Sequence, residues 1–195
     1  MEHVENYTVM QFDICSSSTI MKSLILSSNV QAWVNLLMWI KEYLIKTSVV
    51  YDFIPYKFMG DGWVLLFDFD PARRLFHFAK EFSNHFAEKM QNLITDYLEV
   101  EPKIVGITFG VDKSPLIKIN NDPKEYSGWA LNVSARLVKA RNGDKTPQYK
   151  LLMTKSVYKD LEPYIKGYPA KSVIRTLKNI LDSPFHCVSM RVKEL

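Results

Sequence analysis

The sequence predicts an α+β sandwich in which helices flank a mixed or antiparallel sheet. Strands alternate with amphipathic helices, a tight turn stands at Gly60–Gly62, and two strand-like segments close the chain. A regular alternation alone would predict a parallel sheet, but the hairpin brings antiparallel pairs into it. A chain of 195 residues suits one well-buried core, so we expect a single domain over residues 1–195.

The composition is ordinary for a soluble protein, with 47% hydrophobic and 24% charged residues. The polar, acidic start does not read as a signal peptide, and the apolar stretch Ala32–Ile45 is interrupted by polar residues. Cys15 and Cys187 have no CxxC spacing and form no disulfide framework. These features predict a cytoplasmic protein with no membrane partner.

The net charge of +4 is mild, but basic residues crowd between Lys139 and Lys159. Such a run suits either a nucleic-acid surface or a solvated face that attracts anionic nucleotides. Nucleic-acid binding would also call for interleaved aromatic residues or a known motif, and the sequence has neither. We therefore do not expect a nucleic-acid partner.

The first third of the chain predicts a buried strand and two helices. Tyr7–Ile14 has apolar residues at both odd and even positions, as in a strand covered on both faces. Ser16–Thr19 offers N-cap side chains for a helix that begins near Ile20. A second helix is expected from Val30 to about Ile45, with its large apolar residues on one face.

A hairpin and a long helix come next. Tyr51–Met59 and Trp63–Phe69 predict two strands around the glycine-rich turn. Pro71 marks the start of a long amphipathic helix. An apolar stripe at helical spacing is far more often core than a cofactor site, and we interpret this one as core. The stripe consists of Leu75, Phe78, Ala79, Phe82, Phe86, Met90 and Leu93.

The second half predicts shorter elements. A strand is expected at Lys103–Val111, followed by an irregular segment through Pro115 and Asn120–Pro123. A helix is expected around Leu131–Ala140. Three further strands are expected near Tyr149–Met153, Ser172–Leu177 and Phe185–Val192.

The end of the first strand carries the first candidate for chemistry. Asp13 stands before a small-residue loop that enters a helix. Its carboxylate can bind a divalent cation, and the Ile14 carbonyl can join it. The loop amides around Ser16 and Ser17 can cradle phosphate. The simpler alternative is that Asp13 only caps the next helix.

Two other short motifs carry polar groups. Lys57–Trp63 places Asp61 between two glycines, which by itself indicates only an ordinary hairpin turn. Asn132 and Arg136 are four residues apart and share a helix face, so both can reach one ligand. An exposed pair of this kind usually has no function.

In their order and separation these motifs resemble the class III adenylyl and guanylyl cyclase domain, over nearly the whole chain. Phe12–Ser17 resembles the family's D-I-x-x-[FS]-[ST] strand end, and Lys57–Asp61 its K-x-x-G-D hairpin. Gly128–Arg136 resembles its G-x-x-x-N-x-x-[AS]-R helix, and Gly106–Gly110 its G-I-x-x-G strand. Leu177–Asn179 stands where the family often has L-K-G, with Asn in place of the glycine.

The resemblance implies a reaction and its groups. Class III cyclases are dimers with active sites between subunits, so a homodimer acting on a nucleoside triphosphate is expected. Asp13 and Asp61 of one chain would hold two divalent cations, Mn²⁺ or Mg²⁺. Asn132 of the other chain would orient the ribose, and Arg136 would neutralise charge on the α-phosphate. Lys178 would grip the terminal phosphates.

The family's two base-selecting positions correspond to Lys57 and Glu125. A lysine donor with an acidic acceptor suits adenine, but it equally suits uracil or cytosine. Bulky neighbours that narrow the cleft would favour a one-ring base. The alternative is that these rings face the core, because strand alternation sends Tyr56 away from Lys57. The rings concerned are Tyr56, Trp63, Tyr126 and Trp129.

The chain also resembles one branch of the family, the bacterial pyrimidine cyclases of Pycsar antiphage systems. Asp13–Ser18 and Lys57–Trp63 carry this likeness, together with the compact length. It implies a cyclic UMP or cyclic CMP product, with cyclic UMP, and so a uridylate cyclase, favoured, and a separate effector that reads the product. Two alternatives stand beside it: an adenylyl cyclase, and an inactive binding module with the cyclase fold. Inactive relatives usually lose a metal aspartate, and here both are present.

Overall fold

The structure is a computed structural model that describes residues 3–68, 70–140, 148–180 and 184–193. Its strands are β1 (Val4–Ile14), β2 (Phe53–Phe58), β3 (Gly62–Asp68), β4 (Ile107–Asn121), β5 (Lys124–Ser127), β6 (Lys150–Thr154), β7 (Ala170–Arg175) and β8 (Phe185–Arg191). Its helices are α1 (Ser17–Leu26), α2 (Val30–Tyr51), α3 (Ala72–Tyr97), α4 (Trp129–Lys139) and α5 (Lys155–Leu161). A 3₁₀ turn at Glu162–Tyr164 follows α5.

These strands form one sheet in the order β2-β3-β1-β4-β6-β8-β7, and β5 pairs with the outer part of β4. β1 lies between β3 and β4 and is antiparallel to both. β4 and β6 are parallel, so the sheet is mixed. The predicted α+β fold class, a mixed sheet with flanking helices, is confirmed.

The two faces of the sheet are covered by different helices. The main core lies between one face and helices α1, α2, α3 and α5, and aromatic rings such as Phe12, Phe82 and Phe109 pack within it. The opposite face carries α4 above two smaller apolar clusters. Burial on both faces explains why β1 is apolar at odd and even positions.

The apolar stripe of the long helix is core, as predicted. α3 begins at Ala72, directly after Pro71, and every residue of the stripe is exposed by 5% or less. A helix with a continuous apolar face of this kind is held mainly by tertiary packing.

The end of α2 differs from the prediction. The helix continues past Ile45 to Tyr51, so β2 begins at Phe53. Once a helix is long, each further residue adds a backbone hydrogen bond at little cost, and polar residues on the solvent side do not end it. It stops where Asp52 adopts a left-handed conformation, with φ of 53°.

The segment predicted to be irregular after Val111 is in fact strand. β4 begins at Ile107, continues to Asn121 and turns back into β5. Pro115 predicted a break because proline lacks the N–H that a strand ladder uses. In the structure Pro115 pairs with Asn6 of β1, at a point where no strand among the described residues pairs with the other edge of β4. A residue without an N–H is tolerated there.

Helix α4 and strands β6, β7 and β8 lie within two residues of their predicted bounds. Phe69, the predicted end of the second hairpin strand, lies outside the described residues, as does part of the basic run between Lys139 and Lys159. Among the helices that the structure describes, none is long and apolar enough to cross a membrane.

Candidate active site

The pairing of β1 with β3 brings the two candidate metal-binding aspartates together. Asp13 is opposite Gly62 in this antiparallel pair, and Asp61 directly precedes Gly62. A side chain at position 62 is sterically excluded, because its Cβ would lie 1.9 Å from the Phe12 carbonyl oxygen. Gly62 therefore allows the β2–β3 turn to lie directly on the end of β1, which places Asp61 beside Asp13.

The loop after β1 reaches back to the same turn. Ser17 Oγ donates a hydrogen bond to Asp61 Oδ2. Ser16 has φ of 59°, and its carbonyl accepts hydrogen bonds from the N–H groups of Thr19 and Ile20, each at 2.9 Å. The helix thus begins at Ser17, earlier than predicted, and the expected side-chain N-cap is wrong: Ser16 caps α1 with no side-chain hydrogen bond.

The first turn of α1 offers donors to an anion. Within the described part of the chain, the backbone N–H groups of Ser17 and Ser18 have no hydrogen-bond acceptor. Both belong to a helix of ten residues whose N-terminus starts beside Asp61. Unsatisfied amides at a helix N-terminus favour negative charge, so this end of β1 combines metal-binding carboxylates with phosphate-binding amides.

The donor set fits small divalent cations. Carboxylate oxygens of Asp13 and Asp61, with the Ile14 carbonyl, are the hard oxygen ligands that Mg²⁺ and Mn²⁺ prefer. No group of three or more His, Cys, Asp or Glu side chains that could hold a metal occurs among the residues described. Two carboxylates suit a magnesium-type site, which uses one or two protein carboxylates and takes its other ligands from water and substrate phosphates.

Helix α4 is fixed on the opposite face of the sheet. It packs so closely on β4 that a Cβ at Gly110 would lie 2.2 Å from the Ser134 carbonyl oxygen. Gln11 Nε2 donates to the Leu131 carbonyl at 2.8 Å, and Ser114 Oγ accepts from the Ala130 N–H at 3.0 Å. Strands β1 and β4 thus hold the backbone of the first turns of α4.

Asn132 and Arg136 lie on the solvent side of this helix. Both are exposed, whereas the side of α4 toward the sheet is buried. Neither side chain makes a hydrogen bond or ion pair with another residue in the described ranges. The predicted common face is confirmed, and both groups are free to meet a ligand from outside the chain.

Lys57 and Glu125 lie on two strands that Tyr56 joins. A bulge between Pro55 and Lys57 leaves Tyr56 as an extra residue in β2. The Tyr56 hydroxyl accepts a hydrogen bond from the Tyr126 N–H at 2.9 Å, and the two rings pack edge to face. Lys57 follows Tyr56 in the chain and Glu125 precedes Tyr126, so this hydrogen bond brings the two exposed, charged residues near each other.

The bulge also changes the expected direction of Tyr56. Simple alternation would send the Tyr56 side chain to the face opposite that of Lys57. Lys57 is paired with Val64 in the β2–β3 ladder, so these two side chains point to the same face. Tyr56 packs against the apolar cluster that contains Val64. An extra residue in one strand breaks the period of two. Tyr56 and Lys57 therefore share the face of the sheet that α4 covers.

The other bulky rings do not all face the cleft. Trp63 is buried in the main core, stacked on Phe12 with ring centroids 5.8 Å apart. Tyr126 is buried on the other face, packed against Tyr7. The idea that Trp63 narrows the nucleotide cleft is therefore wrong, whereas Tyr126 packs against Tyr56 on the face that also carries Lys57. Trp129, at the start of α4, is 43% exposed.

A network that sequence reasoning missed supports β5. Glu5 Oε2 accepts hydrogen bonds from the hydroxyls of Tyr126 (2.6 Å) and Tyr7 (2.8 Å), and Glu5 Oε1 forms an ion pair with Lys118. These partners lower the pKa of Glu5 to about 2, and the hydrogen bond from Lys118 has the largest effect. A glutamate near the start of an otherwise apolar strand was the available signal, but its partners are far away in the sequence.

Lys178 lies in the turn after β7 and is exposed. Asn179 adopts φ of 61°, and the Ile180 N–H donates to the Leu177 carbonyl at 3.3 Å. Asparagine tolerates this left-handed conformation better than other residues with a side chain. The Asn that departs from the family's glycine therefore keeps the turn that presents Lys178.

The fold of this chain is similar to that of several proteins of known structure. No family model and no curated protein matches this chain. Among solved structures, the guanylyl cyclase Cya2 matches with a TM-score of 0.72 at 15% identity, covering 96% of this chain and 92% of its own. The adenylyl cyclase CyaB from P. aeruginosa matches with a TM-score of 0.71 at 15% identity, covering 96% and 94%. An adenylate/guanylate cyclase/hydrolase from Silicibacter pomeroyi matches with a TM-score of 0.67 at 17% identity. The match covers 96% of this chain and 97% of that protein. This chain has the class III cyclase fold.

Proposed function

We propose that this protein is a nucleotide cyclase, which converts a nucleoside triphosphate into the 3′,5′-cyclic nucleotide and pyrophosphate. The observation that carries the proposal is the arrangement at the end of β1, where Gly62 lays the hairpin turn on the strand and Ser17 holds Asp61 beside Asp13. Two aspartates that neighbour each other across the β1–β3 pair, next to helix amides without an acceptor among the described residues, suit a metal-bound triphosphate.

In this reaction the ribose 3′-oxygen forms a bond to the α-phosphorus while the bond to the pyrophosphate oxygen breaks. Two divalent cations, held by Asp13, Asp61 and the Ile14 carbonyl, would stabilise the negative charge on the attacking and leaving oxygens. Ser17 orients the Asp61 carboxylate, and the N–H groups of Ser17 and Ser18 donate to phosphate oxygens. The proton of the 3′-hydroxyl passes to solvent.

The other half of the site comes from a second copy of the chain in the proposed homodimer. Asn132 orients the ribose, Arg136 neutralises charge on the α-phosphate, and Lys178 grips the terminal phosphates. Their exposure, and the absence of partners for their side chains among the described residues, support this assignment. An isologous dimer of this kind has two equivalent sites.

For the base we propose a pyrimidine, in UTP or CTP. Lys57 can donate to a ring carbonyl, and Glu125 can accept from uracil N3–H or the cytosine amino group. Tyr56, on the same face as Lys57, reduces the room for a second ring. Adenine is the second candidate, because the same Lys–Glu pair suits it. The matching structures include adenylyl and guanylyl cyclases, so their shared fold does not choose a base.

The biological role that we propose rests on the sequence motifs shared with Pycsar cyclases. A cytoplasmic, single-domain enzyme would release cyclic UMP or cyclic CMP as a signal during phage infection. A separate effector that recognises the cyclic pyrimidine nucleotide would respond to it.

The test is a competition among equal concentrations of the four ribonucleoside triphosphates with Mn²⁺, with products identified by mass. We expect UTP or CTP to be cyclised roughly 5- to 150-fold ahead of ATP and GTP, because overfilling a packed site costs about 1–3 kcal/mol. A preference for ATP would make the protein an adenylyl cyclase. If folded protein forms no cyclic product from any substrate, the enzyme proposal is wrong and a binding module is the better description.

A further inference from the structure

A second polar cavity lies at the β7 edge of the sheet, away from Asp13 and Asp61. Its volume is about 480 Å³, within the range of small-molecule sites. No acidic residue lines it in the described part of the chain. The cations Lys150, Lys171, Arg175 and Arg191 line it, together with the apolar residues Pro169 and Val173.

Strand register explains why these cations meet. Lys171 and Arg175 are four residues apart on β7, so they point to the same face of the sheet. Lys150 on β6 is directly opposite Arg191 on β8. Lys171 is opposite Ser189, which also lines the cavity. The fold therefore gathers charges from three neighbouring strands on one face.

The cations that line this cavity repel one another. Lys150 and Arg191 carry like charges and are directly opposite each other on paired strands. Lys150 is only 8% exposed, and burial, followed by the repulsion from Arg191 and Arg175, lowers its pKa. An anion in the cavity would be attracted by all four of these cations.

Arg175 gives an independent sign of a ligand. Its side chain is 9% exposed, and Nη1 donates to the Ile174 carbonyl at 3.0 Å. Its Nε is buried and has no acceptor among the residues described. A buried guanidinium N–H without an acceptor is costly, and the planar guanidinium matches phosphate oxygens well.

We propose that this cavity binds the di- or triphosphate group of a small molecule, free or carried by a nucleotide, at a site distinct from the candidate active site. Several cations around a concave space suit clustered phosphate charge, and the apolar wall of Pro169 and Val173 suits the organic part of a phosphate ester. Single-stranded nucleic acid is a poorer fit, because none of the described residues that line the cavity is aromatic and could stack on bases.

The experiment is a calorimetric titration of the full chain with inorganic triphosphate in excess EDTA, which suppresses metal-dependent binding at Asp13 and Asp61. We expect saturable binding that Lys171→Gln weakens roughly tenfold or more, because a charge-assisted contact is lost. Lys41→Gln, which removes the same charge from an exposed position on α2, should leave the affinity unchanged. Lys171 is exposed, so its variant tests the site even if the buried Arg175→Gln fails to fold.

Parallel titrations with UTP and ATP in EDTA show whether the phosphates are recognised alone or on a nucleotide, and binding that depends on Lys171 supports the proposal in either case. Three results would overturn it: no binding of any of these ligands, equal affinity in wild type and Lys171→Gln, or loss of binding in Lys178→Gln alone. Binding of single-stranded RNA in place of triphosphate would also overturn it, in favour of a nucleic-acid surface. None of these outcomes depends on cyclase activity.

Discussion

The two halves of the candidate active site differ in how one chain holds them. In the carboxylate half, formed by Asp13, Ser17 and Asp61, Ser17 Oγ donates to Asp61, and Gly62 sets the turn on β1. In the exposed half, side chains extend from the surface without a hydrogen bond or ion pair to any described residue. The exposed half consists of Lys57, Glu125, Asn132, Arg136 and Lys178.

The backbone beneath the exposed half is nevertheless firmly held. Gly110 and Gln11 fix α4, and Tyr56 joins β2 to β5. The backbone of each half is therefore held by packing and hydrogen bonds. Only in the carboxylate half does another side chain of the same chain also hold a functional side chain. This difference suits the shared site of the homodimer that we propose, in which the exposed groups would meet a substrate whose metal ions the other copy holds.

The largest expected effect is in the carboxylate half. Asp61→Asn should lower pyrophosphate release with Mn²⁺ at least about a thousandfold, since losing roughly 4 kcal/mol of transition-state stabilisation is about three decades in rate. Asp68→Asn is the matched control, because Asp68 is an exposed aspartate at the far end of the same β1–β3 ladder. Near-normal turnover by folded Asp61→Asn would exclude Asp61 as a metal ligand.

The next prediction tests whether the halves belong to different chains. Inactive Asp61→Asn mixed one to one with inactive Arg136→Ala should regain about a quarter of wild-type activity, because half the dimers are mixed and each has one intact site. Mixing Asp61→Asn with Asp13→Asn should regain nothing, since both changes damage the carboxylate half. If mass spectrometry shows exchanged subunits and the first mixture stays inactive, the halves do not complement each other across an interface.

A smaller effect is expected from the hydrogen bond that orients Asp61. Ser17→Ala should lower activity about tenfold and raise the Mn²⁺ concentration needed for half-maximal rate, since one hydrogen bond to a charged group contributes about 1.5–3 kcal/mol. Ser18→Ala is the control, because Ser18 is the exposed neighbour in the same helical turn. Equal metal dependence in the two variants would mean that Ser17 does not position the carboxylate.

The smallest effect is expected from the hydrogen bond that joins β2 to β5 beneath the exposed half. Tyr56→Phe removes the acceptor of the Tyr126 N–H and should raise the KM for the preferred triphosphate by a few-fold with kcat little changed, since a neutral hydrogen bond contributes about 1 kcal/mol. Tyr51→Phe removes a hydroxyl that bonds Glu81 elsewhere and should leave the KM unchanged. Tyr56→Ala separates a second role: if it leaves the base preference intact, the ring does not exclude purines by size.

The carboxylate half was the more predictable of the two. Asp13 and Asp61 stand at the ends of local motifs, and both the strand and the hairpin that carry them could be read from nearby residues. The close approach of Gly62 to the Phe12 carbonyl could not be predicted from nearby residues. It depends on the pairing of β1 with β3, which two helices separate in the chain. The Ser17 side chain was expected to serve its own helix and instead serves Asp61.

The exposed half was less predictable because its supports are contacts between distant residues. Asn132 and Arg136 share a face by helical spacing alone, which sequence shows directly. The strand that carries Glu125 was missed, since Pro115 suggested a break that the open edge of β4 tolerates. Alternation placed Tyr56 on the wrong face, because a one-residue bulge has no reliable signature in a single sequence.

The central place of β1 also sets the order in which the chain can be assembled. Its two neighbours are β3 and β4, and the β4 residues that pair with it lie about a hundred positions later in the chain. Such distant pairing slows folding. During synthesis β1 can associate with β3, but its other edge, rich in apolar residues, stays without a partner until β4 leaves the ribosome. We therefore expect the nascent chain to depend on chaperones until roughly residue 121 has emerged, and only then does Asp13 reach its final setting.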